Sequence, residues 1–138
     1  MKNIVIASIL ISCLILSSCS KSGGSSGGGG NTTPAESSIV FTTDASTSNI
    51  STASSFNVNV TLTSAMPSQG IKISATVTDQ TTSGAISQNA AITSSATKNQ
   101  ITLIGLPEQH WCSITVTVTS VATLSNTASQ SFTVVYSL

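Results

Sequence analysis

Residues 111–119 read Trp-Cys-Ser-Ile-Thr-Val-Thr-Val-Thr. After Trp111, apolar and hydroxyl side chains alternate at every position, which is the two-residue period of a β-strand with one buried face and one wet face. Threonine suits the wet face because its branched Cβ favours extended backbone while its hydroxyl stays hydrated. The pattern predicts an inward set (Cys112, Ile114, Val116, Val118) and an outward set (Ser113, Thr115, Thr117, Thr119).

Three further blocks repeat this alternation, at residues 56–63, 71–78 and 130–134. Their inward residues would be Phe56, Val58, Val60 and Leu62, then Ile71, Ile73, Ala75 and Val77, then Phe132 and Val134. A Met-Pro-Ser-Gln-Gly turn at 66–70 separates the first two blocks. Weaker strand candidates lie at 39–43, 86–93 and 101–104. No window carries the 3.6-residue period of a helix, so the sequence predicts an all-β antiparallel sandwich of about seven strands.

A family resemblance is visible near the C-terminus. Residues 111–119, a loop through Asn126 and the Ser-Gln-Ser-Phe-Thr-Val-Val run at 129–135 look like the last two strands of bacterial immunoglobulin-like, polycystic-kidney-disease-type and fibronectin type III-like domains. The resemblance implies an immunoglobulin-like sandwich over residues 37–138. One position departs from those families, because Cys112 stands where they often carry the inward tyrosine of the tyrosine corner.

The N-terminus carries the anatomy of a secretion signal. Lys2 supplies a positive charge, and Ile4 to Leu16 form an apolar stretch interrupted only by two serines and Cys13. The stretch is shorter than the roughly 20 apolar residues that a membrane-spanning helix needs. We therefore expect residues 1–18 to be a cleaved signal peptide.

The end of that stretch resembles a bacterial lipobox. Leu16-Ser17-Ser18-Cys19 has the aliphatic residue, the two small residues and the cysteine that lipoprotein-processing enzymes read. The resemblance implies a diacylglyceryl group on Cys19 and cleavage before it. Leu10-Ile11-Ser12-Cys13 also fits the four-residue pattern, but cleavage there would leave an apolar mature end and a short signal.

Lipid anchoring carries an expectation about location. Two or three acyl chains hold a protein stably on a membrane. Ser20 stands where an aspartate would retain such a lipoprotein at the inner membrane, so the resemblance favours the outer membrane of a bacterial cell envelope. Whether the domain faces the periplasm or the cell surface stays open.

Residues 19–36 would be the lipidated cysteine and its tether. From residue 20 onward they are Gly/Ser-rich with almost no apolar side chain, so we expect a disordered linker with an end-to-end distance of roughly 20–25 Å. A phosphate-binding glycine loop would need a strand before it and a helix after it, and neither flank fits.

The composition excludes a nucleic-acid partner. Only 6% of residues are charged, with four basic side chains against four acidic ones, so no basic patch can follow a phosphate backbone.

The sequence has one run of three adjacent side chains that could take part in catalysis or binding, His110, Trp111 and Cys112. The parity of Cys112 predicts a buried, inert thiol, and His110 would precede the strand at the rim as a solvated or locally bonded imidazole. Zinc needs more ligands than one histidine and one non-lipidated mature cysteine supply, so no metal and no cofactor is expected.

The acidic residues give no local catalytic pair. Glu36, Asp44, Asp79 and Glu108 are scattered through linker and turn contexts and are expected to be solvated. Without convergent titratable groups, we expect no enzyme and no catalytic residues.

Trp111 is the candidate binding residue, with His110 beside it. An outward indole could stack on a sugar or enter a protein interface, or it could cover one end of the sandwich, and the second interpretation is favoured. The leading hypothesis is a non-enzymatic binding or structural module whose partners are a membrane, through the lipid, and a glycan or envelope protein. The alternative is a small accessory subunit that docks by edge-strand pairing in a larger envelope complex.

Overall fold

A computed structural model describes residues 35–138 and contains nine strands. The predicted signal peptide, Cys13, Cys19 and the predicted tether up to residue 34 lie outside the described residues. The strands are β1 Phe41–Thr43, β2 Ser48–Ser51, β3 Phe56–Leu62, β4 Ile71–Asp79, β5 Ala85–Ile86, β6 Ile92–Ser94, β7 Lys98–Leu103, β8 Trp111–Ser120 and β9 Thr127–Tyr136. The described part of the chain is all-β, as predicted.

The strands form two sheets that pack as a sandwich. The three-stranded sheet has the order β1-β3-β7, and the six-stranded sheet has the order β2-β9-β8-β4-β5, with β6 also paired to β4. This order is that of the immunoglobulin-like fold, with the A, B and E strands in one sheet and the C, F and G strands in the other. The predicted all-β sandwich is therefore confirmed.

The core lies between the two sheets and follows the predicted alternation. On β8 the buried residues are Cys112, Ile114, Val116 and Val118, and the matching sets on β3, β4 and β9 are also buried apart from Phe56 and Ala75, which are half-buried. Phe56 and Phe132 join the sheets through a tilted ring pair with centroids 6.4 Å apart. Aromatic pairs of this geometry add about 0.5–1.5 kcal/mol to the burial of their area.

The turn predicted at 66–70 is confirmed and depends on Gly70. This glycine has a φ of 82°, and a Cβ added there would lie 2.6 Å from the carbonyl oxygen of Ser94. Its backbone N–H donates to the carbonyl of Pro67 at 2.9 Å. Only glycine satisfies both the left-handed backbone and the close approach of the end of β6.

Two features differ from the sequence prediction. The candidate strand at 86–93 is two short strands, β5 and β6, which both pair with β4. β2 was not predicted, and it pairs with β9 in parallel, whereas the prediction was wholly antiparallel. Its single large apolar residue, Ile50, is exposed, so β2 is held by backbone hydrogen bonds at the sheet edge and leaves no alternation in the sequence.

The sandwich has two distinct ends. At the N-terminal end, the chain enters against the β8–β9 loop, where the Asn126 side chain accepts from the N–H of Ile39 at 3.0 Å and donates to the carbonyl of Ser37 at 3.0 Å and to Glu36 at 3.3 Å. Side-chain hydrogen bonds hold the pKa of Glu36 below its ordinary value. The Ser120 hydroxyl contributes most, followed by Asn126 and Thr123. Glu36 thus contacts the domain, although it was predicted to belong to the tether.

The tryptophan end is the opposite one, where β8 begins. It collects the β2–β3 loop, the β4–β5 loop, the β7–β8 loop and the C-terminus, which exchange backbone hydrogen bonds such as Leu106 N–H to Ser54 and Ser137 N–H to Ser51. β8 is ten residues long. At about 3.3 Å per residue it separates the two ends by roughly 30 Å.

Candidate functional site

The candidate site is the outer face of the six-stranded sheet, at and beside the tryptophan end. Strand register fixes which side chains share a row across this face, because directly paired residues point to the same side. β8 pairs with β9 so that Trp111 faces Val135, and β2 pairs with β9 so that Ile50 also faces Val135. These three residues form the apolar row of the outer face.

The apolar row is open to solvent. Trp111 is 42% exposed and Ile50 is 72% exposed, with Val135 half-buried between them. Trp111 therefore has the outward parity that the alternation predicts, and more than a third of it is open to solvent. An exposed row of this kind, ending in an indole, is unusual on a face that is otherwise polar.

The rest of the outer face consists of hydroxyl rows. Paired hydroxyls on β8 and β9 lie 2.9 Å apart in three successive rows: Thr115 with Ser131, Thr117 with Ser129, and Thr119 with Thr127. On β4, Thr76 and Ser74 continue the first two of these rows, and Thr78 pairs with Ser113 in a further row. Among the outer-face residues of these strands the one charge is Lys72, in the row farthest from Trp111.

The residue before Trp111 makes a hydrogen bond to a buried carboxylate that the sequence did not predict. His110 Nδ1 lies 2.9 Å from Asp79 Oδ2, and Asp79 is only 6% exposed. Asp79 was expected to be solvated, and that expectation is wrong. It continues the inward parity of β4 and ends that strand opposite Cys112, so its carboxylate depends on hydrogen bonds from protein groups, of which His110 gives one.

The surroundings of Asp79 favour its charged form. The hydrogen bond from His110, then those from the Thr82 hydroxyl and the Thr81 N–H, lower the pKa of Asp79 from 3.8 to about 2. The Thr81 and Thr82 bonds are each 2.8 Å long. Both carboxylate oxygens are therefore engaged in holding the β4–β5 loop against the start of β8.

The backbone around Trp111 is fixed on both sides. The N–H of Gln80 donates to the Trp111 carbonyl at 2.9 Å, and the N–H of Gln109 donates to the Tyr136 carbonyl at 2.7 Å. Gln109 has a φ of 59°, a left-handed conformation that turns the chain between the β7–β8 loop and His110. Trp111 thus stands on a rigid strand start and not on a loose loop.

Cys112 lies inside, as predicted. Its side chain is fully buried, and burial first, then the charge of Asp79, raise the pKa of its thiol. A thiol of this kind is a poor nucleophile, because the thiolate is the reactive form. Cys112 and Trp111 therefore point to opposite faces of the sheet and cannot act on one ligand together.

Other site classes receive no support from residues 35–138. Within that range no three His, Cys, Asp or Glu side chains come together as metal ligands. The same range contains no helix long and apolar enough to cross a membrane. The predicted lipidation site, Cys19, lies outside it.

A second region of interest is the open side of the sandwich along β7. The Leu62 N–H donates to the Thr97 carbonyl, so Leu62 and Thr97 are a hydrogen-bonded pair. Hydrogen-bonded and non-hydrogen-bonded pairs alternate along an antiparallel ladder. The backbone groups of Lys98, Gln100 and Thr102 therefore point away from β3. A groove of about 220 Å³ lies beside this edge, between β7 and the segment before β6. At its end the Gln88 amide bonds both backbone groups of Ile104, at 2.9 and 3.0 Å, as one residue of a further strand would.

The sequence analysis did not predict the apolar row or the His110–Asp79 hydrogen bond. The parity signals existed: residue 79 continues the inward set of β4, and residue 135 continues the outward set of β9. No local signal brings Ile50 to Val135 or His110 to Asp79, because both pairs are made by strand order.

Comparisons of the chain with protein-family models, with curated proteins and with solved structures find no match.

Proposed function

We propose that this chain is a lipid-anchored protein of a bacterial envelope whose immunoglobulin-like domain is a non-enzymatic binding module. The observation that carries the anchor is the Leu16-Ser17-Ser18-Cys19 sequence directly after an apolar signal-like stretch. The outer membrane is the favoured location, since Ser20 replaces the retaining aspartate.

The geometry of the domain supports a presenting role. The described chain enters at the N-terminal end, against Asn126, and the exposed Trp111 stands at the other end of β8. The chain therefore enters the domain roughly 30 Å along β8 from Trp111. This arrangement suits a domain that meets something beyond its own membrane.

The engagement of the titratable groups supports a binding module over an enzyme. Asp79 and His110 bond each other, Asp79 also bonds the next loop, and Cys112 is buried on the opposite face from Trp111. The bond to Asp79 leaves His110 Nε2 free, but within residues 35–138 no hydroxyl or thiol is hydrogen-bonded to it, and the Cys112 thiol lacks the access that a nucleophile needs. The pair is better explained as a clasp between β4 and the start of β8.

The anchor is tested by metabolic labelling with a fatty-acid analogue in a bacterial host. Cys19→Ala should abolish the label and leave unprocessed precursor, while the matched Cys13→Ala variant should be labelled like the parent. Label that persists on the Cys19 variant and disappears from the Cys13 variant would refute the assignment.

The second candidate function, an accessory subunit of an envelope complex, rests on the open β7 edge. Unpaired backbone groups at Lys98, Gln100 and Thr102 next to a groove are what β-strand addition requires. A pull-down from detergent-solubilised envelopes separates the two candidates. One stoichiometric protein partner that is lost with Gln100→Pro would favour the accessory role, because proline removes an outward N–H from the edge.

A further inference from the structure

We infer that the outer face of the six-stranded sheet binds a neutral polysaccharide, with Trp111 as the platform on which a sugar ring stacks. The inference rests on the proposed binding function and names its ligand class. It follows from three properties of the face: its exposed indole, its hydroxyl rows and its lack of charge.

The indole is both available and held in place. Trp111 is 42% exposed, its carbonyl accepts from the N–H of Gln80, and it lies opposite Val135 of β9 in the strand register. An aromatic ring fixed on a rigid strand offers a large flat surface and loses little conformational freedom on binding. The C–H groups on one face of a pyranose ring match such a surface.

The hydroxyl rows match the rest of a sugar chain. Each serine or threonine hydroxyl carries one donor and two acceptor lone pairs. The 2.9 Å pairs between β8 and β9 use only part of that capacity, so the rows can still donate to and accept from a polyol. Successive rows repeat every second residue along β8, or about every 6.7 Å, so they offer a polymer repeated contacts.

The balance of apolar and polar surface favours a glycan over a protein partner. The core of a protein interface is a patch rich in apolar and aromatic side chains. Here the apolar surface is a single row beside the hydroxyl rows. It consists of Trp111 and Ile50, which are exposed, and the half-buried Val135 between them. A charged polymer is disfavoured because Lys72 is the one outer-face charge of these strands and lies at the far end.

The test uses the mature chain from residue 19 with Cys19→Ser, which contains every residue of the described core. Trp111 is the single tryptophan of the sequence, so its fluorescence reports the site directly. The probes are soluble β-1,3-, β-1,4- and α-1,6-linked glucans and a mannan, with anionic polygalacturonate as the control polymer. A neutral polymer should shift the Trp111 emission and retard the protein in a native gel that contains it.

Variants locate the site. Trp111→Ala should weaken gel retardation at least about tenfold, and Trp111→Phe should keep part of the affinity. Thr115→Val with Thr117→Val should weaken it severalfold, whereas Thr102→Val, on the outer face of the other sheet, should not change it. Melting curves serve as the check that each variant is folded. We expect all of them to fold, because the four substituted positions are exposed or half-buried.

Three results would overturn the inference: no response to any neutral polymer, equal retardation of Trp111→Ala, or stronger binding to polygalacturonate than to the neutral polymers. Capture of a protein through Trp111 without glycan binding would overturn the ligand class and leave the binding module standing. If the fatty-acid label persisted on Cys19→Ala while the neutral glucans still bound, the anchor would be refuted and this inference would stand.

Discussion

The two faces of the six-stranded sheet are built by the same strands and differ almost completely. The inner face of β4, β8 and β9 is mostly apolar, with Asp79, Ser120 and Gln130 as its polar residues, and the outer face is mostly hydroxyls. The one buried carboxylate of these strands, Asp79, and their one indole, Trp111, both lie at the tryptophan end. Alternation therefore explains how this sandwich folds, and the tryptophan end combines two residues that alternation alone does not explain.

The largest expected effect comes from exchanging the character of the two faces on β8. Val116→Asp would bury a carboxylate among aliphatic side chains with no cation in reach, at a cost of about 3 kcal/mol or more. Because a domain of this size is stable by roughly 5–15 kcal/mol, the variant should be largely unfolded or melt far below the parent. Thermal melts of residues 35–138 provide the measurement.

Thr117→Asp is the matched control for Val116→Asp. Thr117 is half-buried on the outer face, and its melting temperature change should stay within a few degrees. Greater damage from the Thr117 variant would mean that the β8 register is wrong by one residue, since such a slip exchanges the two faces.

The next effect concerns the one charge that the inner face accepts. The pKa of Asp79 is lowered to about 2, so its contribution to stability is full above its unfolded value of 3.8 and is lost as the pH falls toward 2. Asp79→Asn should melt several degrees below the parent at pH 5. The gap between the two proteins should close as the pH approaches 2, because protonation then removes the same charge from the parent.

Comparison with the variant is needed because other carboxylates behave similarly. Neighbouring Asn59 holds the pKa of Asp44 below its ordinary value, and the pKa of Glu36 is also lowered. Protonation of these two carboxylates in acid destabilises the parent and the Asp79→Asn variant alike. Only the difference between the two melting curves therefore reports Asp79. A difference that stays constant from pH 5 to pH 2 would contradict the assignment of a lowered pKa to Asp79.

Sequence reasoning reached the parts of this fold that alternation controls. It assigned the inward and outward residues of β3, β4 and β8 and placed Cys112 inside and Trp111 outside. It missed β2, whose hold on β9 is made by backbone groups, and the His110–Asp79 bond, which spans 31 residues of sequence. Contacts of that kind depend on strand order, and the alternation pattern of a single sequence does not indicate strand order.

A smaller effect is expected from the hydroxyl pairs of the outer face. Thr115→Val keeps the shape and the β-propensity of the side chain and removes the bond to Ser131. Since both groups can bond water instead, stability should change by no more than about 0.5 kcal/mol, or roughly 2–4 °C in melting temperature. A larger loss would mean that the hydroxyl rows are part of what holds the sheet together.

The smallest effect is expected at Ile50. Ile50→Ser removes an apolar side chain that is 72% exposed, so the melting temperature should stay within about 2 °C of the parent. A clear stabilisation on this change would show that the apolar row is a liability to the folded domain. A clear loss would mean that Ile50 packs on Val135 and that the row is structural.

The parallel pairing of β2 with β9 also sets the order in which this chain can finish folding. Ser48 and Thr133 meet across 85 residues of sequence, and Asn126 meets Ile39 across 87. At about 5–20 residues per second, the first strands of a newly made chain wait roughly 4–18 s for the partners that close the sandwich. Such late closure slows folding. A chain that leaves the cytoplasm through a secretion channel, as proposed here, gains from that delay because it stays unfolded long enough to be threaded.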